Sequence, residues 1–164
     1  MTFELIETVE ATSTLSEIEF SNIPQDGLDL FVYISAQSDG SQFQFKINNG
    51  TYYWHSHLRG SGTAINGLNG GNVNIYIYNT GQSSVGEWAN MKMRFSRYAD
   101  STQKVLTYDA LRGSTKTQNN IPTNSPEFGG LARYDSTDGK AAITSIKFIT
   151  PLYAGSTMSL YKTY

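Results

Sequence analysis

The chain has no cysteine among its 164 residues. That excludes a disulfide framework, a thiolate-held zinc site and a cysteine nucleophile, and it leaves the redox compartment unread. No apolar run approaches the roughly 20 residues that a helix needs to cross a bilayer. The opening MTFELIETVE puts glutamates where a secretion signal carries lysine or arginine. The expectation is a chain made in a cytoplasm, without a membrane anchor or secretory leader. Charge is scarce as well: 16% of residues are charged, against about 25% in an average domain. Twelve basic and fourteen acidic residues give a formal charge of -2, with no basic run. Nucleic acid, which is held first through its phosphates, is therefore not an expected partner.

Groups that could do chemistry are few. His55 and His57 are the only histidines, spaced so that both rings leave one face of a strand, but no Asp or Glu lies between Lys46 and Glu87 to complete a metal site. Glu17 with Glu19, Asp26 with Asp29 and Asp135 with Asp138 are acid pairs of the kind glycoside hydrolysis uses. Asp26, Asp39 and Asp138 each precede a glycine, however, and turn chemistry accounts for them. Asp135 to Asp138 offers oxygen ligands that would suit calcium, at no specific spacing. No G-x-S-x-G elbow occurs, and GLNGGN at Gly67 to Asn72 lacks the lysine of a phosphate loop. Neither an enzyme nor a resident metal or cofactor is expected.

What the chain does have is alternation. In SEIEFSNIPQDGLDLFVYIS, Ser16 to Ser35, Ile18 and Phe20 alternate with polar neighbours, as do Leu28, Leu30, Val32 and Ile34, with Phe31 and Tyr33 on the other parity. A period of two means strands. NIPQDG between them reads as a reversal that lays the two strands side by side, and Leu28 to Ile34 reads as the centre of the core. Phe3 to Val9 reads as a first strand. Phe43, Phe45 and Ile47 form one face of a strand from Gln42, which Asn48-Asn49-Gly50 turns so that Thr51 to Leu58 folds back on it. Gly60 to Asn72 reads as an exposed loop. Val73, Ile75 and Ile77 then point inward with Tyr76 and Tyr78 outward, followed by a loop from Asn79 to Gly86. Met91, Met93 and Phe95 oppose Lys92, Arg94 and Ser96, a strand with a solvated basic stripe.

For Val105 to Leu111 the pattern fits a short strand or a helical turn. Arg112 to Phe128 reads as a long polar loop, Leu131 to Tyr134 as a weak strand and Asp135 to Gly139 as a turn. AAITSIKFIT and TMSLYKTY make two closing strands around a PLYAGS turn. About nine or ten short strands without a linker imply one all-β domain over residues 1–164, an antiparallel two-sheet sandwich that is jelly-roll-like.

The two ends carry a resemblance. Ile18-Glu19-Phe20 with Ile23-Pro24, then Asp29-Leu30, and at the close Ile143 to Phe148 with Leu160-Tyr161, resemble the pattern of tailed-phage and prophage virion proteins. The chain continues past that pattern through Lys162, Thr163 and Tyr164. The resemblance implies a β-sandwich exposed on a virion, of the capsid decoration, head-fibre or tail-fibre type; the first expectation is a non-enzymatic capsid decoration (cement) protein that forms a homotrimer and docks on the major capsid protein. The alternative is a tail-fibre or carbohydrate-binding module that recognises a cell-surface glycan. Tyr52, Trp54, Tyr76 and Tyr78 are the candidate contacts, because aromatic faces hold sugar rings and also fill subunit interfaces.

Overall fold

A computed structural model describes residues 1–38, 42–50, 53–60, 65–72, 75–78, 88–102, 104–112, 117–118, 121–122, 125–134 and 140–164; within 53–78 and 111–134 it is the backbone course that is described. The chain runs through β1 (Phe3–Glu10), β2 (Ile18–Phe20), β3 (Asp29–Ala36), β4 (Gln42–Ile47), β5 (Tyr53–Gly60), β6 (Ile65–Asn72) and β7 (Ile75–Tyr78). It continues through β8 (Ala89–Ser96), β9 (Val105–Arg112), β10 (Thr117–Gln118), β11 (Ile121–Pro122), β12 (Ser125–Tyr134), β13 (Ile146–Phe148) and β14 (Thr157–Thr163). No helix occurs among the described residues.

The strands form two antiparallel sheets, one ordered β1-β14-β3-β8-β9-β12-β5-β6 and one ordered β2-β13-β4-β7, with β10 and β11 as a separate ribbon. The all-β sandwich read from the alternation is the fold.

The interior is the sum of the inward parities. Leu30, Val32 and Ile34 of β3 line it beside Met91, Met93 and Phe95 of β8, Met158 and Leu160 of β14, and Leu106 and Tyr108 of β9. Ile18 and Phe20, Phe43 and Phe45, and Ile146 and Phe148 close it from the smaller sheet. Phe45 meets Phe95 edge to face at 6.3 Å, joining the sheets, and lies 5.5 Å from Phe148. Edge-to-face and offset pairs satisfy the ring quadrupoles while burying large area.

Several expectations are corrected. Ile18–Phe20 and Asp29–Ala36 do not form a hairpin: β2 pairs with β13 in the smaller sheet, and β3 lies between β14 and β8 in the larger. Two strands with one apolar face each can bury it by facing one another across the core, and here they do. NIPQDG is the crossover between sheets. Leu28, expected in the core, is 49% exposed, because it belongs to that crossover and not to the strand.

The crossover is held by Tyr98, whose hydroxyl donates to the Pro24 carbonyl and accepts from Gly27 N at 3.2 Å. Gln25 Nε2 adds bonds to the carbonyls of Ile23 and Ile143 at 2.6 and 2.9 Å.

Asn48 and Asn49 take the positive φ values, 49° and 55°, that a tight turn demands, and Gly50 N closes it on the Ile47 carbonyl at 2.8 Å. The turn is as expected, but its product is not: β5 pairs with β12 and β6, while β4 pairs with β13 and β7. Asn48 also reaches across to residues 142–145, its Oδ1 accepting from Thr144 N and Ser145 N at 2.8 and 3.1 Å and its Nδ2 donating to the Ala142 carbonyl at 2.7 Å.

Ile65–Asn72, expected as loop, is a strand at the sheet's edge. Ladder bonds come from the backbone and need no large side chain, and an edge position has one ladder to satisfy. Val105–Arg112 is a strand, and Ser125–Tyr134 replaces the later part of the expected excursion with a ten-residue strand between β9 and β5. The expected loop at residues 79–86 and the turn at 135–139 lie outside the described residues.

Candidate functional site

The distinctive surface is the outer face of the larger sheet. Strand alternation that sends Leu30, Val32 and Ile34 inward must send Phe31, Tyr33 and Ser35 outward, and on β8 it sends Asn90, Lys92 and Arg94 outward. Register then sets the rows: Tyr33 stands between Ser159 of β14 and Lys92 of β8, and Lys92 stands opposite Asp109 of β9. Ser35 stands between Thr157 and Asn90 in the next row.

On β1, a bulge between Leu5 and Glu7 shifts the parity. Phe3 and Leu5 share this outer face, opposite Thr163 and Tyr161, and Thr8 joins it through a 2.9 Å hydroxyl contact with Ser159.

Aromatic rings gather there. Phe3 lies 5.1 Å from Phe31, Phe31 stacks on Tyr33 at 6.5 Å, and Tyr33 meets Tyr161 edge to face at 5.6 Å. Lys92 Nζ sits over both Phe31 and Tyr33, 5.4 and 5.7 Å from their centroids, and the Arg94 guanidinium lies 5.9 Å from Phe31. The basic stripe on β8 is thus a partly covered set of cations over ring faces, and Phe31 is nearly buried beneath it.

Arg94 is also tied from below. Its Nε and Nη2 donate to Asp29 Oδ2 at 2.9 and 2.6 Å, and Asp29 Oδ1 accepts from the backbone N of Arg97. Lys92 makes no ion pair among the described residues, although Asp109 is its cross-strand neighbour.

Three adjoining depressions mark this face. One of about 590 Å³ is bordered by Tyr33, Ser35, Asn90, Lys92, Asp109, Thr157 and Ser159. A second of about 370 Å³ lies over Phe31 among Met1, Phe3, Lys92, Arg94 and Thr107. A third of about 300 Å³ lies between Phe3, Tyr33 and Tyr161. Towards the β1 edge the surface turns apolar, where Met1, Phe3 and Leu5 are 76%, 47% and 51% exposed.

Of the acid pairs singled out from the sequence, Asp135 with Asp138 lies outside the described residues, and the other two are occupied elsewhere. Glu17 and Glu19 face Lys147 at 2.8 and 3.9 Å, and the Glu17 hydrogen bond raises the Lys147 pKa. Asp29 serves Arg94. Asp26 holds Lys162 at 2.8 Å, where Glu4 approaches at 3.3 Å and Tyr164 donates to Glu4 at 2.6 Å.

Lys162 is buried, and its bond to Asp26, aided by Tyr164 and Glu4, raises its pKa well above the usual lysine value. Reciprocally, Asp26 is lowered first by Lys162, and Glu4 first by Tyr164 and then by Lys162. A second buried lysine, Lys104, donates to the carbonyls of Arg97, Asp100 and Thr102; burial lowers its pKa and Asp100 opposes that. These arrangements neutralise charge and brace turns.

Of the residues expected to contact a glycan or partner, Trp54 lies on β5 in the larger sheet, opposite Arg133 and Gly71. Tyr76 and Tyr78 lie on β7 in the smaller sheet, opposite Gln44 and Gln42. Strand order therefore puts Trp54 and the two tyrosines on different sheets. Tyr52 lies outside the described residues, and His55 and His57 fall on β5 opposite Ala132 and Gly130. Among the described residues no three His, Asp or Glu gather to hold a metal ion.

The sequence alone marked the Phe3 to Val9 strand as a candidate contact but did not single out Tyr33, Tyr161 and Asp109. The signal was present in the outward parities of β3 and β8, one aromatic and one basic, but their adjacency was not.

No family model matches the sequence, and no curated protein matches it. Among solved structures, an alignment with a chain from the structure of infectious bursal disease virus Gx strain has 10% identity and covers 98% of this chain and 40% of that one, at a TM-score of 0.12. Likeness at that level carries no argument about fold or function.

Proposed function

We propose that the chain is a non-enzymatic virion surface protein, a decoration or cement module that docks as a homotrimer on the major capsid protein. The observation that carries this reading is the apolar strip of Met1, Phe3 and Leu5 along the β1 edge. Contiguous exposed apolar surface of this kind suits a protein partner better than water.

The strip is not built to pair freely with another sheet edge. Glu4, Glu7 and Glu10 punctuate β1, and the bulge at Leu5/Glu7 bends it, two devices that oppose open-ended strand addition. Nested pairing supports the jelly-roll reading of the sandwich: β1 with β14, β2 with β13, β3 with β8 and β4 with β7 follow from winding one antiparallel ribbon over two sheets. Engagement of the described acid pairs in ion pairs supports the non-enzymatic reading.

Each copy would add modest buried area against capsid subunits, and many copies would together raise the barrier to particle opening. The test is to strip particles of the protein and add back either the natural chain or the Leu5→Lys variant. Restored heat resistance with the natural chain, and at least tenfold weaker rebinding by Leu5→Lys, is expected. Unchanged heat resistance in stripped particles, with host adsorption lost, would instead favour a tail-fibre or receptor-recognition role.

A further inference from the structure

The depression of about 590 Å³ on the larger sheet is lined differently from the apolar strip at its edge, and we propose that it is a binding site for a neutral oligosaccharide. Its shape follows from side-chain size along two rows. Ser35, Thr157 and Asn90 are short, whereas Tyr33 and Lys92 beside them are long, so the sheet surface steps down into a trough. Crossing β14, β3, β8 and β9 at the usual strand spacing gives the trough a span of about 14 Å, room for a di- or trisaccharide, and its volume lies in the range of ligand sites.

The lining matches a sugar's two kinds of surface. Tyr33, 37% exposed, offers a ring face for the C–H side of a pyranose, and its position is fixed by Phe31, Tyr161 and Lys92. Asp109, Asn90, Ser35, Thr157 and Ser159 offer acceptors and donors of the kind hydroxyl groups need.

Electrostatics chooses the class of sugar. Among the described residues the trough is lined by one cation, Lys92, and one anion, Asp109, and these balance. Arg94, the next outward cation along β8, is held by buried Asp29, and the chain as a whole is at -2. A polyanion would gain Lys92 but meet Asp109 beside it on a chain of net negative charge, whereas a polyhydroxyl ligand can accept from Lys92 and donate to Asp109 together. The site is separate from the Leu5 strip, so it goes beyond the docking role, and the two are tested by different variants.

The experiment is a titration of the intact protein with neutral trisaccharides, namely maltotriose, cellotriose and mannotriose, beside the acidic trigalacturonate, followed by amide NMR. At least one neutral trisaccharide is expected to bind with a Kd of about 1 mM, shifting amides within residues 33–35, 90–92 and 157–159. Asp109→Asn and Tyr33→Ala, with melting temperatures recorded to establish folding, should each weaken that binding about tenfold. Leu5→Lys should leave it unchanged. The proposal is overturned if no neutral trisaccharide moves these amides at about 10 mM, if trigalacturonate binds most tightly, or if folded Asp109→Asn binds as well as the natural chain.

Discussion

On the inner side of the β3 and β8 pair, Leu30, Val32 and Ile34 lie against Met91, Met93 and Phe95, all buried; on the outer side of the same strands, Phe31 and Tyr33 lie against Lys92 and Arg94. Both sides are rich in carbon, and both contain close ring contacts. They differ in what surrounds them. Inner side chains have a second sheet above them, so removing one leaves a hole that packed neighbours fill only in part. Outer side chains have water above them, and cations with long methylene stems supply the cover that a second sheet would otherwise provide. Packing on the outer face is therefore open enough to admit a ligand, while the inner face specifies the fold.

The largest break in this comparison should come from Phe95→Ala. Phe95 is fully buried and meets Phe45 across the sandwich, so the change should cost about 4 kcal/mol, read as a lower denaturation midpoint at unchanged slope. Gly27→Ala comes next. A Cβ there would lie 2.9 Å from the Tyr98 hydroxyl and 3.1 Å from both Lys162 Cβ and the Thr163 carbonyl, so the crossover must shift. About 2 kcal/mol of destabilisation is expected from such overpacking, with Tyr98→Phe costing less because it removes bonds without adding bulk.

Tyr33→Ala on the outer face should cost no more than about 1 kcal/mol, since its ring is partly in water. A loss as large as that of Phe95→Ala would show that the outer cluster is a second core and not a surface.

The smallest effect concerns Lys162, which breaks the rule of the inner parity by carrying a charge at a buried position of β14. Glu4 and Asp26 have lowered pKa values in the folded chain. Their contribution is thus full above the ordinary carboxylate range and is lost as pH falls through the folded values, below about pH 4. Lys162 is shifted upward, so its own share stays whole at every pH below the ordinary lysine value and disappears only in strong alkali. Melting temperature from this cluster should be flat from about pH 5 to 9 and fall in acid. Lys162→Met should flatten the acid limb, because the two carboxylates then titrate nearer to their unfolded values; an unchanged limb would mean that other acids govern it.

Legibility from sequence differed between the two faces. Phe43, Phe45 and Ile47 were readable as buried because an apolar residue at every second position has one physical explanation. Tyr33, Lys92 and Asp109 were not readable as one site, since they come from three strands and each has an ordinary surface reading alone. Trp54 with Tyr76 and Tyr78 is a related case. Aromatic character alone made them candidate contacts, and only the strand order places β5 and β7 in different sheets.

Alternation in the chain, by itself, determined which way the side chains of β3, β4 and β8 point and that Asn48-Asn49-Gly50 makes a tight turn, because both are consequences of local backbone geometry. Tertiary structure alone decided which strand lies beside which, that NIPQDG crosses between sheets and that an exposed tyrosine shares a trough with Lys92 and Asp109. The reason is that strands pair through backbone groups common to nearly every residue. A period of two names the face a residue occupies, and only the closing of two sheets over a shared interior names its neighbours.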